Sequence, residues 1–209
     1  MSDLSKYIVK GRLTEKEIYL LQRDINIYSQ DAFESSITDK SGSNGRIDYG
    51  VRNSKIFFVK QEQKKFPNTY NILQSTAIQD YCNINRDIDL SRLASIQYVE
   101  YTTGGFFKMH RDYIDNPRYG LSDRRVLTMS INMSSSNDYE GGALAVYNNN
   151  KECIATLDRE LGSYIIFPAI LLHAAKPVLS GERKAIVTWL LDSKTSCEHF
   201  FDNIFNHHP

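Results

Sequence analysis

The chain has 209 residues, 41% of them apolar and 24% charged, and its 25 basic and 25 acidic side chains leave no formal net charge. That length suits one domain with a sizeable core, and the neutral balance argues against a nucleic acid or an acidic membrane as partner, both of which favour a basic face. The cysteines, Cys82, Cys153 and Cys197, are odd in number and include no CxxC pair, which argues against a disulfide framework or a cysteine zinc site and fits a reducing, cytoplasmic compartment.

In chain order, the opening MSDLSKYIVKGRL carries no apolar h-region, and no later stretch approaches the length of a membrane span. Thr14-Glu15-Lys16-Glu17 reads as a capping box that starts a helix, and Ile18, Leu21, Ile25 and Tyr28 then recur at helical spacing. Residues 35–48 are polar and dotted with glycine, and read as a loop. Lys55 to Val59 reads as a short strand, and a second helix is predicted from Pro67 to about Tyr81.

From Leu93 onward the chain becomes rich in short β-prone runs: Ile96 to Tyr101, Val126 to Met133, Leu144 to Tyr147, Ser163 to Phe167 and Ala185 to Leu191. In RVLTMSINMS the alternation puts Leu127, Met129, Ile131 and Met133 on one face. Thr102 to Gly105, Glu140 to Gly142 and Ser180 to Glu182 read as turns. Many short strands without intervening helices predict a sandwich or jelly roll, with the early helices packed on the outside of one sheet. The expected fold class is α+β, mainly β. The expected organisation is one domain over 1–209, with a helical part to about 90, a β core over 93–192 and a tail over 193–209. In that tail Phe200, Phe201 and Phe205 form an amphipathic pattern expected to dock on the core.

Three of the five histidines, His199, His207 and His208, crowd the tail; the other two lie in the β-rich half. His110 and Asp112 are separated by one residue on a predicted strand or strand end, and residues i and i+2 of a strand share a face. His173 follows the run Ile165 to Pro168, in a segment that can return beside the first strand of a roll. Taken alone, His110 reads as a hydrogen-bonded strand histidine and Arg183 as half of a surface ion pair. Together, two histidines and one carboxylate on one face of a metal leave three positions open, which is the ligand set of non-haem iron(II) oxygenases. Arg183, ten residues beyond His173, reaches the barrel mouth along a strand–turn–strand path through Pro177 and Gly181. A planar guanidinium there suits the far carboxylate of a 2-oxo diacid.

The segments YTTGGFFKMHRD, RVLTMSINMS, YEGGALAVY and GSYIIFPAILLHAAKPVLSGERKAIVTWLLD resemble the double-stranded β-helix core of prolyl 4-hydroxylase-like, PKHD-type oxygenases over residues 93–192. The resemblance implies iron(II) on His110, Asp112 and His173. It also implies 2-oxoglutarate on Arg183 and on Tyr101 of a Tyr-x-x-Gly pattern with Gly104, dioxygen as oxidant and ascorbate as auxiliary reductant. The implied reaction is hydroxylation of a C–H bond, on a prolyl residue of a peptide or protein, with release of succinate and carbon dioxide. Two departures stand out: Asn132 occupies a position where relatives place a tyrosine aimed at the co-substrate, and Ala143 stands where an acidic residue often follows Gly-Gly. Asn132 is carried as a candidate co-substrate ligand, and Trp189 as a structural strand residue. The polar segment Tyr113 to Arg124 follows the metal ligands and offers Arg118, Tyr119 and Arg124 as candidate substrate contacts, while the glycine-dotted 40–46 offers a second flap. Two other readings use the same residues: hydroxylation of a free amino acid or other small molecule, and a non-catalytic metal-binding β-barrel.

Overall fold

Thr14 and Glu17 cap each other as their spacing predicts. The Thr14 backbone N–H and hydroxyl donate to Glu17 Oε2 at 2.8 and 2.7 Å, and the Glu17 N–H donates to Thr14 Oγ1 at 3.3 Å. The computed structural model describes residues 4–28, 33–34, 49–59, 67–82, 92–93, 96–113 and 125–191. A single 3₁₀ turn (Leu4–Tyr7) leads into β1 (Val9–Arg12) and α1 (Glu15–Tyr28). Then come β2 (Phe33–Glu34), β3 (Arg52–Asn53), β4 (Lys55–Val59) and α2 (Pro67–Cys82). The β-rich half begins with β5 (Arg92–Leu93), β6 (Ile96–Thr102), β7 (Phe106–His110) and β8 (Arg125–Asn132). It continues through β9 (Tyr139–Gly141), β10 (Leu144–Tyr147), β11 (Cys153–Thr156), β12 (Ser163–Pro168), β13 (Leu172–Ala175) and β14 (Val178–Leu191). The loop expected over 35–48 and the tail over 193–209 lie outside the described residues, as do Arg118, Tyr119 and Arg124.

The strands form two antiparallel sheets. The major sheet runs β1-β12-β8-β14-β6-β4-β2, with β5 and β9 paired onto β14, and the minor sheet runs β11-β10-β13-β7-β3. This is the mainly β double-stranded β-helix expected from the sequence. Residues that oppose each other in an antiparallel ladder share a face. The chain of partners Ile166, Met129 and Thr188, and the neighbouring set Tyr164, Ile131, Ile186 and Tyr98, therefore define one face of the major sheet. That face joins Leu21 and Ile25 of α1 and Ile72 and Leu73 of α2 in one buried cluster. The helices cover one face of the major sheet, as their early position implies. Asp24, 5% exposed, joins the two helices by accepting the Thr69 N–H at 3.2 Å and the Thr69 hydroxyl at 2.9 Å. It thereby satisfies a first-turn N–H of α2 that has no partner within the helix.

The opposite face carries Phe167, Thr128 and Trp189 in one row, and Ala185 beside Asn132 and Val99 in another. It looks onto the minor sheet. β14 departs from the sequence reading: Ser180 to Glu182 is not a turn but a bend within one continuous strand. Gly181 takes φ +78°, and a side chain there would run into the Asp138 carbonyl. Before the bend β14 pairs with β9, and after it with β6 and β8. Among the described residues, no helix is long and apolar enough to cross a membrane.

Candidate metal centre

His110 ends β7 and His173 lies on β13, where the two are direct partners across the ladder with ring centroids 4.2 Å apart. Asp112 does not sit on the strand, as the i, i+2 reading supposed, because β7 stops at His110. The backbone places it: the N–H groups of Asp112 and Tyr113 both donate to the Ala169 carbonyl at 3.0 Å. Its carboxylate, 8% exposed, enters between the rings, with Oδ1 at 3.4 Å from His110 Nε2 and Oδ2 at 3.1 Å from His173 Nε2. One ligand atom from each of the three residues lies within 4.8 Å of the others.

The hydrogen bonds select the tautomers. His110 Nδ1 is 2.7 Å from the Lys108 carbonyl and His173 Nδ1 is 3.1 Å from the Leu171 carbonyl. A carbonyl only accepts, so both Nδ1 atoms carry the proton and both Nε2 atoms keep a lone pair facing Asp112. Lone pairs facing a carboxylate at such distances repel unless a cation sits among them, so the donor set fits a divalent metal with histidine and carboxylate ligands. The metal-free alternative is a proton. Burial disfavours the charged imidazole of His173, but Asp112 outweighs burial and holds its pKa above the usual value. Burial and His173 together push His110 down. Burial opposes the Asp112 carboxylate, yet the neighbouring His173 outweighs it and keeps the Asp112 pKa well below the ordinary range. Thr128 donates its hydroxyl to Asp112 Oδ2 at 2.9 Å.

Arg183 opposes Tyr101 in register, and its guanidinium stands 5.5 Å from the Tyr101 ring centroid. The residue is 3% exposed, and no carboxylate or other hydrogen-bond acceptor among the described residues meets it. Gly142 makes room for it, because a Cβ there would stand 3.1 Å from Arg183 Cδ and 2.9 Å from Val178 Cγ2. A buried guanidinium without a counter-ion is costly, and a bound carboxylate removes the cost.

Asn132 does not fit its expected role as a co-substrate ligand. Its Nδ2 donates to the carbonyls of Ser134 at 2.8 Å, Arg159 at 2.6 Å and Glu160 at 3.2 Å, so its donors are spent on tying down the loop before β12. Its Oδ1 is buried without a partner and offers a carboxylate only repulsion. Sequence reasoning also missed Arg125. Its guanidinium carbon lies 3.6 Å over the Trp189 ring, and no hydrogen-bond partner among the described residues meets it. Burial lowers its pKa while Asp112 raises it. Its position at the head of the run RVLTMSINMS is the available signal, next to Arg124 of the preceding segment. Trp189, read as structural, presents its ring to the same face, with its indole N–H buried and unpartnered.

Residues 96–191 match the family model described as the 2OG-Fe(II) oxygenase superfamily. That segment, just under half of the chain, is similar to the 2OG-Fe(II) oxygenases. The chain is 25% identical over 199 residues to a PKHD-type hydroxylase of Prochlorococcus marinus strain MIT 9301, covering 94% of this chain and 84% of the relative. A PKHD-type hydroxylase of strain MIT 9515 is 37% identical over 93 residues, an alignment that spans 43% of this chain and 41% of that protein. Among solved structures, the fold is similar to a Pseudomonas putida prolyl-4-hydroxylase with a TM-score of 0.65 at 14% identity, covering 88% of this chain and 92% of the other. It is also similar to a Trichoplax adhaerens prolyl hydroxylase in complex with a hypoxia inducible factor peptide fragment, with a TM-score of 0.66 at 18% identity, covering 90% and 84%. The family match includes all three candidate ligands, and Arg183 with them.

Proposed function

We propose that the chain is a 2OG-Fe(II) oxygenase that hydroxylates an unactivated C–H bond of a prolyl residue in a peptide or protein, consuming 2-oxoglutarate and dioxygen and releasing succinate and carbon dioxide. The observation that carries this reading is the pairing, inside one barrel, of the His110–Asp112–His173 cluster with an uncompensated buried arginine. A metal-binding module without turnover needs the first and has no use for the second. The prolyl target rests on the likeness to PKHD-type hydroxylases and on the shared fold with prolyl hydroxylases.

His110, Asp112 and His173 would hold iron(II), which would supply a chelation site for the 2-oxo acid and the redox chemistry that couples its decarboxylation to oxygen insertion, with ascorbate keeping the metal ferrous. The chain's own residues do the rest. The Nδ1–H bonds to Lys108 and Leu171 hold both imidazoles with Nε2 inward. Asp112 brings the negative charge, and Thr128 fixes its rotamer. Arg183 takes the far carboxylate of 2-oxoglutarate, with the Tyr101 hydroxyl beside it. Val99, Ala185 and Phe167 line the same face and keep water out. Arg125, held flat on Trp189, is a fixed donor for a substrate carbonyl.

The test is incubation with iron(II), 2-oxoglutarate, ascorbate and a panel of proline-containing peptides, following succinate and peptide mass. Succinate matched by gain of one oxygen atom on a prolyl peptide supports the reading. Coupled turnover with a free amino acid in place of every peptide moves the assignment to a small-molecule hydroxylase, and absence of succinate throughout favours the non-catalytic module.

A further inference from the structure

Of the two histidines, His173 is enclosed, with its side chain 5% exposed and the Phe167 ring edge 4.9 Å away, whereas the His110 side chain is 21% exposed at the open end of the cluster. One hydrogen bond from Nδ1 does not by itself fix the plane of an imidazole. What covers His110 is Phe107, stacked on it with centroids 3.6 Å apart and ring planes 23° from parallel. Residues i and i+3 of a regular strand point to opposite faces, so this stack requires an irregularity. The ladder supplies one: β7 takes three steps from Phe107 to His110 (110 − 107) while β13 takes two from Ala175 to His173 (175 − 173), the signature of a β-bulge. The bulge also directs the Lys108 carbonyl at His110 Nδ1. Behind Phe107, Arg52 opposes it in register on β3 and lays its guanidinium carbon 4.5 Å from the ring centroid. Arg52 is 8% exposed, its Nε donates to Ser54 Oγ at 2.8 Å, and no carboxylate among the described residues pairs with it.

We infer that Phe107 and Arg52 are positioning residues for the metal ligand His110, acting in series: Arg52 holds the Phe107 ring by a cation–π contact, and the ring holds the imidazole plane. A buried arginine without an acid is costly to keep, and the ring contact offsets part of that cost. Supports of this kind around a metal ligand typically change metal affinity 10- to 100-fold when removed. The inference rests on the metal-centre reading above.

The experiment titrates the metal-free protein anaerobically with Co(II), following both the visible ligand-field bands and quenching of Trp189, the one tryptophan in the chain. Phe107→Leu is expected to bind Co(II) about ten-fold more weakly and with altered bands. Phe107→Tyr keeps the ring and binds like the parent. Arg52→Met weakens binding roughly three-fold, and the double variant is no weaker than Phe107→Leu alone, because both residues act through one ring. If Phe107→Leu melts early without metal, Phe107→Met replaces it at matched volume. Parent-like affinity and bands in a variant lacking the ring overturn the inference, as do fully additive losses from the two sites. A parent that binds no Co(II) sinks the metal-centre reading itself and this inference with it.

Discussion

Thr128, on the central strand β8 of the major sheet, donates its hydroxyl to Asp112 Oδ2 at 2.9 Å, which ties the carboxylate ligand to the sheet opposite the two histidines. Thr128→Val keeps the shape and removes the bond. Folding stability should fall by about 1 kcal/mol, while affinity for iron(II) should fall about ten-fold. Metal titration beside a thermal melt of the metal-free protein separates the two effects. Equal affinity in the variant would show that Asp112 needs no support from the major sheet.

Arg183→Met should raise the 2-oxoglutarate requirement about 100-fold, on the order of the 3 kcal/mol expected of a charge-assisted carboxylate pair. Metal binding should be unchanged. In the ligand-free protein this substitution removes a buried charge that has no partner, so the melting temperature should stay level or rise. A large drop in melting temperature would mean that Arg183 is structural.

For Asn132 the opposite pattern is expected. Asn132→Leu leaves the carbonyls of Ser134 and Arg159 without their donor and should cost about 3 kcal/mol of stability, with the 2-oxoglutarate requirement of the folded fraction nearly unchanged. A selective loss of 2-oxoglutarate affinity would restore the amide to the co-substrate site.

Arg125→Met should raise the KM for the hydroxylated substrate while leaving 2-oxoglutarate binding alone, since the guanidinium lies over Trp189 and no hydrogen-bond partner among the described residues meets it. Steady-state kinetics with saturating 2-oxoglutarate makes the distinction. An unaltered KM would remove Arg125 from substrate binding.

Tyr164 donates its hydroxyl to Asp80 of α2, and burial, followed by that bond and the neighbouring acid charge, pushes its pKa well above the ordinary 10.0. A group whose folded pKa is raised contributes stability fully below its unfolded pKa and loses it as pH rises toward the folded one. The parent should therefore lose melting temperature as the pH rises through about 10 and beyond, and Tyr164→Phe should lose less over the same range. Parallel profiles would dissociate Tyr164 from the alkaline loss.

Local chemistry made much of this protein legible before any coordinates. The capping box at Thr14 and Glu17 fixed the start of α1, the alternation in 126–133 marked the face under the helices, and the order His110, Asp112, His173, Arg183 outlined the site. What escaped depends on contacts far apart in sequence. Asp112 is placed by a carbonyl at Ala169, and Asn132 is drawn away by carbonyls at Arg159 and Glu160. Gly181 reads as a turn residue, and only the pairing of β14 with β9, β6 and β8 turns it into a bend. The bulge that stacks Phe107 on His110 needs the register of β13 against β7, which composition does not encode.

The most direct measurement is an anaerobic titration of the metal-free protein with iron(II) and 2-oxoglutarate, watching for the visible charge-transfer band of the iron–oxo-acid chelate. The expected result is a band that needs both components, disappears in Asp112→Ala, and requires far more 2-oxoglutarate in Arg183→Met. Iron binding without any band, at 2-oxoglutarate concentrations that saturate related sites, would contradict the oxygenase account and leave a metal site without its co-substrate.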